Sequence, residues 1–451
     1  MKTLFGTDGM RGEAGKFPLD ADTITIVGYS LARHLQARHN KPPLLIAGRD
    51  TRESGSWIEE ALIKGAEAAG AQCQSAGVIT TPGVAFLTRT LNAHAGVVIS
   101  ASHNPFADNG IKIFSPTGKK MDETVERTIE ADIRDGVSPE SLAAEPAPRS
   151  IAREHELQKL YLSFLQNNIA AELSLKNFKL VVDCANGASS MLAPALFEHL
   201  GAEVVAINRE PDGRNINLNC GSLHIESLQA RVIAERASLG IAFDGDADRA
   251  LFVDETGRLV DGDATLWVLA NQLQAANKLK DNTVVATVMS NIGLEIALRG
   301  REIKMVRTDV GDKYVLDELL KLSGSLGGEQ SGHIILPELS LAGDGMLTAI
   351  CLLRALKESD QPLSEATSGF VHYPQILVNV KVREKVPFAQ LSVVEEAVKR
   401  VEERLSQNGR LLLRYSGTEL LARVMIEGKD QHEIEEFADS IASAIRHEIG
   451  A

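Results

Sequence analysis

The chain has 451 residues, a formal net charge of -14 and 4% aromatic residues, a balance that excludes the basic faces and stacking rings needed to bind nucleic acid. Its 44% hydrophobic content fills several cores, about three domains at the usual 150 or so residues each. No run approaches the roughly 18 apolar residues of a membrane span, and the opening Met1-Lys2-Thr3-Leu4 starts no apolar signal core, so a cytoplasmic globular protein is expected.

Cys73, Cys184, Cys220 and Cys351 are too scattered for a zinc site or a disulfide framework and read as reduced thiols. An anionic ligand would need a locally positive pocket against the overall field.

Phe5-Gly6-Thr7-Asp8-Gly9-Met10-Arg11-Gly12 reads as a glycine-punctuated loop that can bring Arg11 close to a ligand, or as a plain N-terminal turn. Ile24, Val27, Leu31 and Leu35 recur at helical spacing, Leu44 to Ala47 read as a strand ending in Gly48-Arg49-Asp50, and a helix through Ile58, Leu62 and Ala66 follows. This alternation predicts a mostly parallel sheet with ligand-holding loops at strand ends.

Val97, Val98 and Ile99 are a β-branched run that predicts a buried strand, and Asn104-Pro105 must end it in a turn. Ser102 then lies on a strand-to-loop junction among small neighbours, with donors from His103 and Asn104. That suits a hydroxyl carrying a phosphoryl group; a polar turn is the plainer reading. No Gly-x-Ser-x-Gly elbow surrounds it, so serine-hydrolase chemistry is not indicated. Lys112 follows closely enough to share the site. From Gly136 to Ser150, Pro139, Pro146 and Pro148 mark an exposed connector and the first domain boundary.

Strands at Leu180 to Asp183 and Val204 to Ile207, framing a helix from Met191 to Leu200, make a second α/β unit. It ends in Phe243-Asp244-Gly245-Asp246-Ala247-Asp248-Arg249. Acids at i, i+2 and i+4 in extended backbone project to one face, and Gly245 and Ala247 let the loop tighten around a hard cation, for which Mg²⁺ is the natural occupant. An EF-hand is excluded because Arg249 stands where its turn needs glycine and the flanks read as strands. An aspartate-nucleophile phosphatase would place Asp-x-Asp near a domain's first strand, whereas this one lies deep in the chain.

A third α/β region has a helix around Leu266 to Leu273 and strands at Val284 to Val288 and Lys304 to Val306. Its Gly327-Gly328-Glu329-Gln330-Ser331-Gly332-His333 suits gripping sugar hydroxyls, or is a glycine-rich turn. After Pro374, strands at Ile376 to Val378, Leu411 to Leu413 and Ala422 to Ile426 alternate with a helix through Leu391 to Leu405 and a final helix from His432, giving a small α+β module. Between its later strands, Arg414-Tyr415-Ser416-Gly417-Thr418-Glu419, with Arg423 nearby, offers a phosphate cradle.

Taken together and in this order, these stretches resemble the α-D-phosphohexomutase superfamily across essentially the whole chain. Ala101 to Pro105 is similar to its phosphoserine loop, Asp244 to Arg249 to its metal loop, Gly328 to His333 to its sugar-specificity loop and Arg414 to Glu419 to its phosphate loop. The opening Phe5 to Gly12, the Gln330 of Glu-Gln-Ser-Gly-His, and Asn215-Ile216-Asn217 with Cys220-Gly221-Ser222 are most similar to the bacterial phosphoglucosamine mutase subgroup. One departure is Leu420, where proline usually follows.

The resemblance implies three tandem mixed-sheet α/β domains and a smaller C-terminal α+β domain around a central cleft, at 1–150, 151–254, 255–370 and 371–451; joined around Phe370 to Pro374, the last is expected to close over the substrate. It implies interconversion of glucosamine 6-phosphate and glucosamine 1-phosphate through phosphoserine at Ser102 and a sugar bisphosphate, feeding UDP-N-acetylglucosamine and cell-wall precursor synthesis. One Mg²⁺ would be held by Asp244, Asp246, Asp248 and a Ser102 phosphate oxygen. His103 would flank the nucleophile. Arg11, Lys112 and His333 would support proton transfer, unranked. Glu329 and Ser331 would meet the sugar, and Arg414, Ser416, Gly417, Thr418 and Arg423 the phosphate. The partner is a small phosphosugar, with no nucleic acid or membrane, and a homodimer is allowed. The alternatives are a phosphomannomutase or phosphoglucomutase of the same family, or a Mg²⁺-dependent phosphatase.

Overall fold

The N-terminal glycine run closes as a hairpin instead of staying a loop: β1 (Phe5–Gly6) and β2 (Gly9–Glu13) pair antiparallel, and the side chain of Met10 is fully buried beneath them. The computed structural model describes residues 3–6, 8–137, 150–416 and 419–451, so the proline-rich connector lies outside the described residues for most of its length, as do Gly417 and Thr418.

The first region continues through α1 (Ala21–His39), β3 (Leu44–Arg49), α2 (Gly55–Ala68), β4 (Gln72–Val78), α3 (Thr81–Thr90), β5 (Ala95–Ile99), β6 (Asp108–Phe114) and α4 (Glu123–Arg134). The helical apolar stripe of α1 is buried at Ile24, Val27, Leu31 and Leu35, and Asp20 caps its start by accepting from the Thr23 N–H. The strand order is β1-β2-β6-β5-β3-β4. The expected parallel sheet is therefore only half present: β3 runs parallel to β4 and β5, but β6 and the N-terminal hairpin are antiparallel. The short connection from Ile99 to Asp108 has no room for a crossover helix, so β6 must return antiparallel. Its register sets Lys112 opposite Val98 and Arg11 opposite Gly110.

After α5 (Ile151–Phe164), the second sheet is built from β7 (Lys179–Asp183), α6 (Leu192–His199), β8 (Glu203–Ile207), α7 (Glu226–Glu235), β9 (Leu239–Phe243), β10 (Ala250–Asp254) and β11 (Leu259–Val260), in the order β11-β10-β9-β7-β8. β9 and β10 are fully buried and antiparallel, with Phe243 opposite Ala250. Next come α8 (Gly262–Ala275), β12 (Thr283–Thr287), α9 (Ile292–Arg299), β13 (Lys304–Thr308), α10 (Asp312–Leu322), β14 (Gly327–Gly328), β15 (Ile334–Ile335), α11 (Gly345–Ser359) and α12 (Leu363–Ala366). β14 pairs parallel with β12 and antiparallel with β15.

The chain divides into two units, one of Met1–Met289 with Val306–Thr367 and one of Ser290–Met305 with Ser368–Ala451. In the second, β16 (Gln375–Lys381), α13 (Ser392–Leu405), β17 (Arg410–Tyr415), β18 (Leu421–Glu427) and α14 (Gln431–Ile449) form an antiparallel sheet of order β16-β18-β17, with Val394, Val401, Phe437 and Ile441 among its core residues. Among the described residues no helix is long and apolar enough to cross a membrane.

One buried carboxyl in the first unit gives the fold a pH signature. Asp344 caps α11 at the Leu347 N–H and accepts from the Tyr161 hydroxyl at 2.8 Å. Burial pushes it up from 3.8 to about 6. A raised folded-state value contributes stability below pH 3.8 that is lost as pH rises through about 6, here up to about 3 kcal/mol. Asp344→Asn keeps a capping oxygen and should flatten this slope, so that urea melts of the variant gain on wild type from pH 4 to pH 7; parallel curves would contradict the assignment.

Candidate active site

Ser102 is buried just beyond the end of β5, with φ of 53° in the left-handed region that side-chain-bearing residues avoid. The surrounding groups hold it there. Its N–H donates to the Ser100 hydroxyl at 2.9 Å. Its carbonyl accepts from Arg52 Nη2 and from Asn217 Nδ2, each at 2.9 Å. Arg52, itself buried, also donates to the carbonyls of Asn104 and Pro105 and pairs with Asp50 at 2.9 Å. Ser102 Oγ is thereby aimed at Asp244, donating to its Oδ2 at 2.6 Å, with His103 Nδ1 at 3.4 Å on the other side. Partial burial, with Arg249 and Arg11 nearby, keeps the His103 imidazole below its ordinary value.

The acidic loop does not present its carboxylates from extended backbone, as the spacing predicts. β9 and β10 are antiparallel, so Asp244 to Arg249 must reverse the chain, and they do so through a turn in which Ala247 has φ of 55°. The turn is pinned from three sides, by the Thr81 N–H on the Asp246 carbonyl, Ala188 on Gly245 and Gly345 on Ala247. Gly245 is needed for its closeness to the nucleophile: a Cβ there would lie 2.5 Å from the Ser102 carbonyl oxygen. Flanking strands instead of helices dispose of the EF-hand.

One oxygen from each of Asp244, Asp246 and Asp248 lies within 4.8 Å of the others, all three side chains being buried. Asp246 Oδ1 and Asp248 Oδ1 accept no hydrogen bond. Burial, with Asp248 and Asp246 alongside, holds Asp244 well above the ordinary carboxylate range. Orphaned hard oxygens that repel one another are the donor set a divalent cation satisfies, so the residues present fit Mg²⁺.

Lys112 rises from β6 into this group, 2.9 Å from Asp246 and 3.3 Å from both Asp248 and Asp8. Burial opposes its charge, but the carboxylates of Asp246, Asp8 and Asp248 raise it well above the ordinary lysine value. Arg11, on β2, pairs with Asp8. His333 is buried between Asp248 at 3.8 Å and Asp312 at 3.8 Å. Burial works against its imidazolium, yet Asp248, with Asp312 and Glu329, raises it to about 9. Glu329 accepts from the Gly311 N–H at 3.0 Å and reaches the Ser331 hydroxyl at 3.5 Å. The turn between β14 and β15 needs glycine at Gly332, where φ is 91° and a Cβ would meet the Ala250 carbonyl at 2.4 Å.

The first unit thus brings together Ser102, His103, Arg11, Lys112, the three aspartates, Glu329, Ser331 and His333. Arg414, Ser416 and Arg423 belong to the second unit. There Arg414 lies directly opposite Arg423 on neighbouring strands, and the Arg423 Nε is buried without a hydrogen-bond acceptor. Like charges paired across a ladder destabilise it, which an anion would relieve. The Ser416 hydroxyl accepts from the Glu419 N–H at 3.3 Å.

Sequence reasoning assigned no role to Asp8, Asp50, Arg52, Thr81, Lys120, Asn217, Arg249 or Asp312. Thr81 donates to Asp246 at 2.5 Å, and Arg249 Nη1 lies 3.2 Å from His103 Nδ1. The polar Gly48-Arg49-Asp50-Thr51-Arg52 at a strand end was the available signal for the Arg52 bracket. Nothing local marked Lys120.

Four phosphoglucomutase/phosphomannomutase domain models match the chain: alpha/beta/alpha domains I, II and III at residues 2–139, 159–257 and 261–373, and the C-terminal domain at 377–444. A phosphoglucosamine mutase of Solibacter usitatus is 51% identical over 100% of this chain and 99% of its own length, and one of Caldicellulosiruptor saccharolyticus 48% identical over 99% of each. Among solved structures, a phosphoglucomutase/phosphomannomutase family protein of Burkholderia thailandensis superposes with a TM-score of 0.79 at 22% identity, covering 99% of this chain and 98% of that one. The N-acetylphosphoglucosamine mutase of Aspergillus fumigatus, solved with GlcNAc-6P and magnesium, gives 0.64 at 19% identity over 99% and 96%. Full-length identity at this level, on top of the four domain matches, means that the chain belongs to the phosphoglucosamine mutase branch of the phosphoglucomutase/phosphomannomutase family.

Proposed function

We propose that the protein is an isomerase that interconverts glucosamine 6-phosphate and glucosamine 1-phosphate through phosphorylated Ser102 and a sugar bisphosphate. The observation that carries this reading is the 2.6 Å contact of Ser102 Oγ with Asp244: a phosphoryl group on that oxygen has three carboxylates and Lys112 beside it. In the first half-reaction the free sugar hydroxyl forms a bond to phosphorus as the bond to Ser102 Oγ breaks. The hydroxyl proton passes to a base, and Ser102 Oγ takes a proton as it leaves. The bisphosphate then turns over and returns its other phosphate to Ser102 by the reverse exchange.

Asp244, Asp246 and Asp248, with a phosphoserine oxygen, would hold one Mg²⁺, which when bound offsets charge on the transferring oxygens. Lys112 and His333 enter as cations and proton donors, and His103 stands 3.4 Å from the Ser102 oxygen. Glu329 and Ser331 suit the sugar hydroxyls. Arg414, Ser416, Gly417, Thr418 and Arg423 suit the phosphate that is not transferred, on the chemistry of two guanidiniums beside hydroxyls and backbone N–H groups.

The test is intact mass of the purified protein with and without phosphatase, beside Ser102→Ala, followed by a coupled assay of glucosamine 1-phosphate formation. Wild type should carry one phosphate that Ser102→Ala lacks, and the variant should lose on the order of 10⁴-fold or more in turnover. Full activity in Ser102→Ala would transfer the nucleophile to the acidic loop. Glucosamine 6-phosphate should give the highest kcat/KM when compared with the glucose and mannose 6-phosphates; preference for either of those would overturn the substrate reading.

A further inference from the structure

Six side chains of the first unit, Lys112, Asp248 and His333 of the site among them, close a ring of alternating charge. Lys120 Nζ lies 2.7 Å from Asp8 Oδ1 and 2.7 Å from Asp312 Oδ1. The other oxygen of Asp8 meets Lys112 at 3.3 Å and pairs with Arg11. The other oxygen of Asp312 faces His333 Nε2 at 3.8 Å. Lys112 and His333 Nδ1 both end on Asp248 Oδ2, at 3.3 and 3.8 Å. The Ser102 hydroxyl meets Asp244 and His103, while the ring reaches the acidic cluster through Lys112 and His333 on Asp248.

Its own backbone is fixed. The turn after β6 is closed by the Ser115 N–H on the Lys119 carbonyl at 2.7 Å, and Phe114 and Lys120 form an antiparallel bridge. Asp312 is the first residue of α10 and also accepts from the Lys313 N–H at 2.9 Å. Asp8 comes from the hairpin between β1 and β2. An ammonium held by one rigid turn therefore bridges two carboxylates on separate elements, and each carboxylate orients a different cation of the site.

We infer that Lys120 is a positioning residue for phosphoryl transfer, tying Asp8 to Asp312 so that Lys112 and His333 keep the orientation in which they serve the reacting oxygens. This rests on the mutase reading. Removing the ammonium leaves two carboxylates facing one another without the charge between them, and they move apart or take up water. Lys112 keeps Asp246 and Asp248, so its charge and the attraction for a phosphosugar persist while the alignment is lost. The loss should therefore fall on kcat and spare KM.

The test is steady-state kinetics of Lys120→Met, Lys120→Gln, Lys120→Arg, Asp312→Asn and the Lys120→Met/Asp312→Asn double variant. Each is checked by mass for phosphate on Ser102 and assayed on whichever of the glucosamine, glucose and mannose 6-phosphates wild type turns over fastest. Lys120→Met should lower kcat about 10- to 100-fold, as loss of an orienting partner does, with KM within about threefold. Lys120→Arg should regain most of the loss, and the double variant should be no worse than Lys120→Met by more than about threefold, since both break one ring. Lys120→Gln carries the same comparison should the methionine variant fail to fold. A kcat within about twofold of wild type, a deficit confined to KM, or losses of Lys120→Met and Asp312→Asn that multiply would each overturn the proposal. A wild type that prefers glucose or mannose phosphate overturns the glucosamine reading alone, because the ring is then judged on that sugar.

Discussion

Asp244→Asn is expected to abolish turnover, by on the order of 10³-fold or more, and at the same time to raise the melting temperature of the metal-free protein. The two effects have one cause. Three buried carboxylates share a turn, and burial together with Asp248 and Asp246 disfavours the charge on Asp244. A group raised in the folded state contributes stability when protonated and loses it as pH rises, so negative charge on this carboxylate works against the fold. Asparagine removes the charge while its oxygen still accepts from the Arg249 N–H and its amide can donate to Ser102 Oγ, the two partners Asp244 has now.

What asparagine cannot do is complete a charged cage for a dication. Wild type should gain about 2.7 kcal/mol at Mg²⁺ a hundredfold above its dissociation constant, and Asp244→Asn should show little of that gain. Thermal melts with and without Mg²⁺ at neutral pH decide the matter. A variant that melts below wild type without metal, or that keeps the full metal-induced shift, would mean the acidic loop is not a cation site. Stability gained by deleting function is what a site built from mutually repelling groups predicts.

The local chemistry of this site was legible in the chain because it is written in short strings. Gly245 and Ala247 between the aspartates announce a tight loop, and the β-branched Val97 to Ile99 with Asn104-Pro105 announce a strand that stops beside Ser102. Strand direction was less legible: alternation of β and α favours parallel pairing, but the short link from Ile99 to Asp108 overrides it and turns β6 around, which is what lifts Lys112 into the acidic cluster. Arg11 was taken for a loop residue because its glycines suggest a turn, whereas the ladder to β6 makes those residues a strand. The orienting shell was the least visible. Lys120, Asp312 and Asp8 are far apart in the chain, and an ordinary lysine and two ordinary aspartates acquire meaning only through tertiary contact. The same holds for Asn217, which reaches the Ser102 carbonyl across 115 positions.

Arg52→Met should be the most destabilising single change near the nucleophile, because the guanidinium satisfies four acceptors in a place water does not reach. Its Nε pairs with Asp50 and its two terminal nitrogens serve the carbonyls of Ser102, Asn104 and Pro105. Asp50 is fully buried, and burial already raises it despite Arg52 and the Ser100 hydroxyl. Deleting the cation leaves a buried carboxylate with no opposite charge, a loss of about 3–5 kcal/mol, or roughly 5 °C in the melting transition of the first unit. The left-handed backbone at Ser102 is the first casualty, since only Asn217 remains to hold its carbonyl. Phosphate on Ser102 should fall with it, read by intact mass. The double variant Asp50→Asn/Arg52→Met should recover part of the stability, because both charges then leave together, yet not the phosphate, because the carbonyl bracket is still missing. If Arg52→Met instead melts within about 2 °C of wild type, the bracket contributes little, and the conformation of Ser102 must be held by its bonds to Ser100, Asn217 and Asp244.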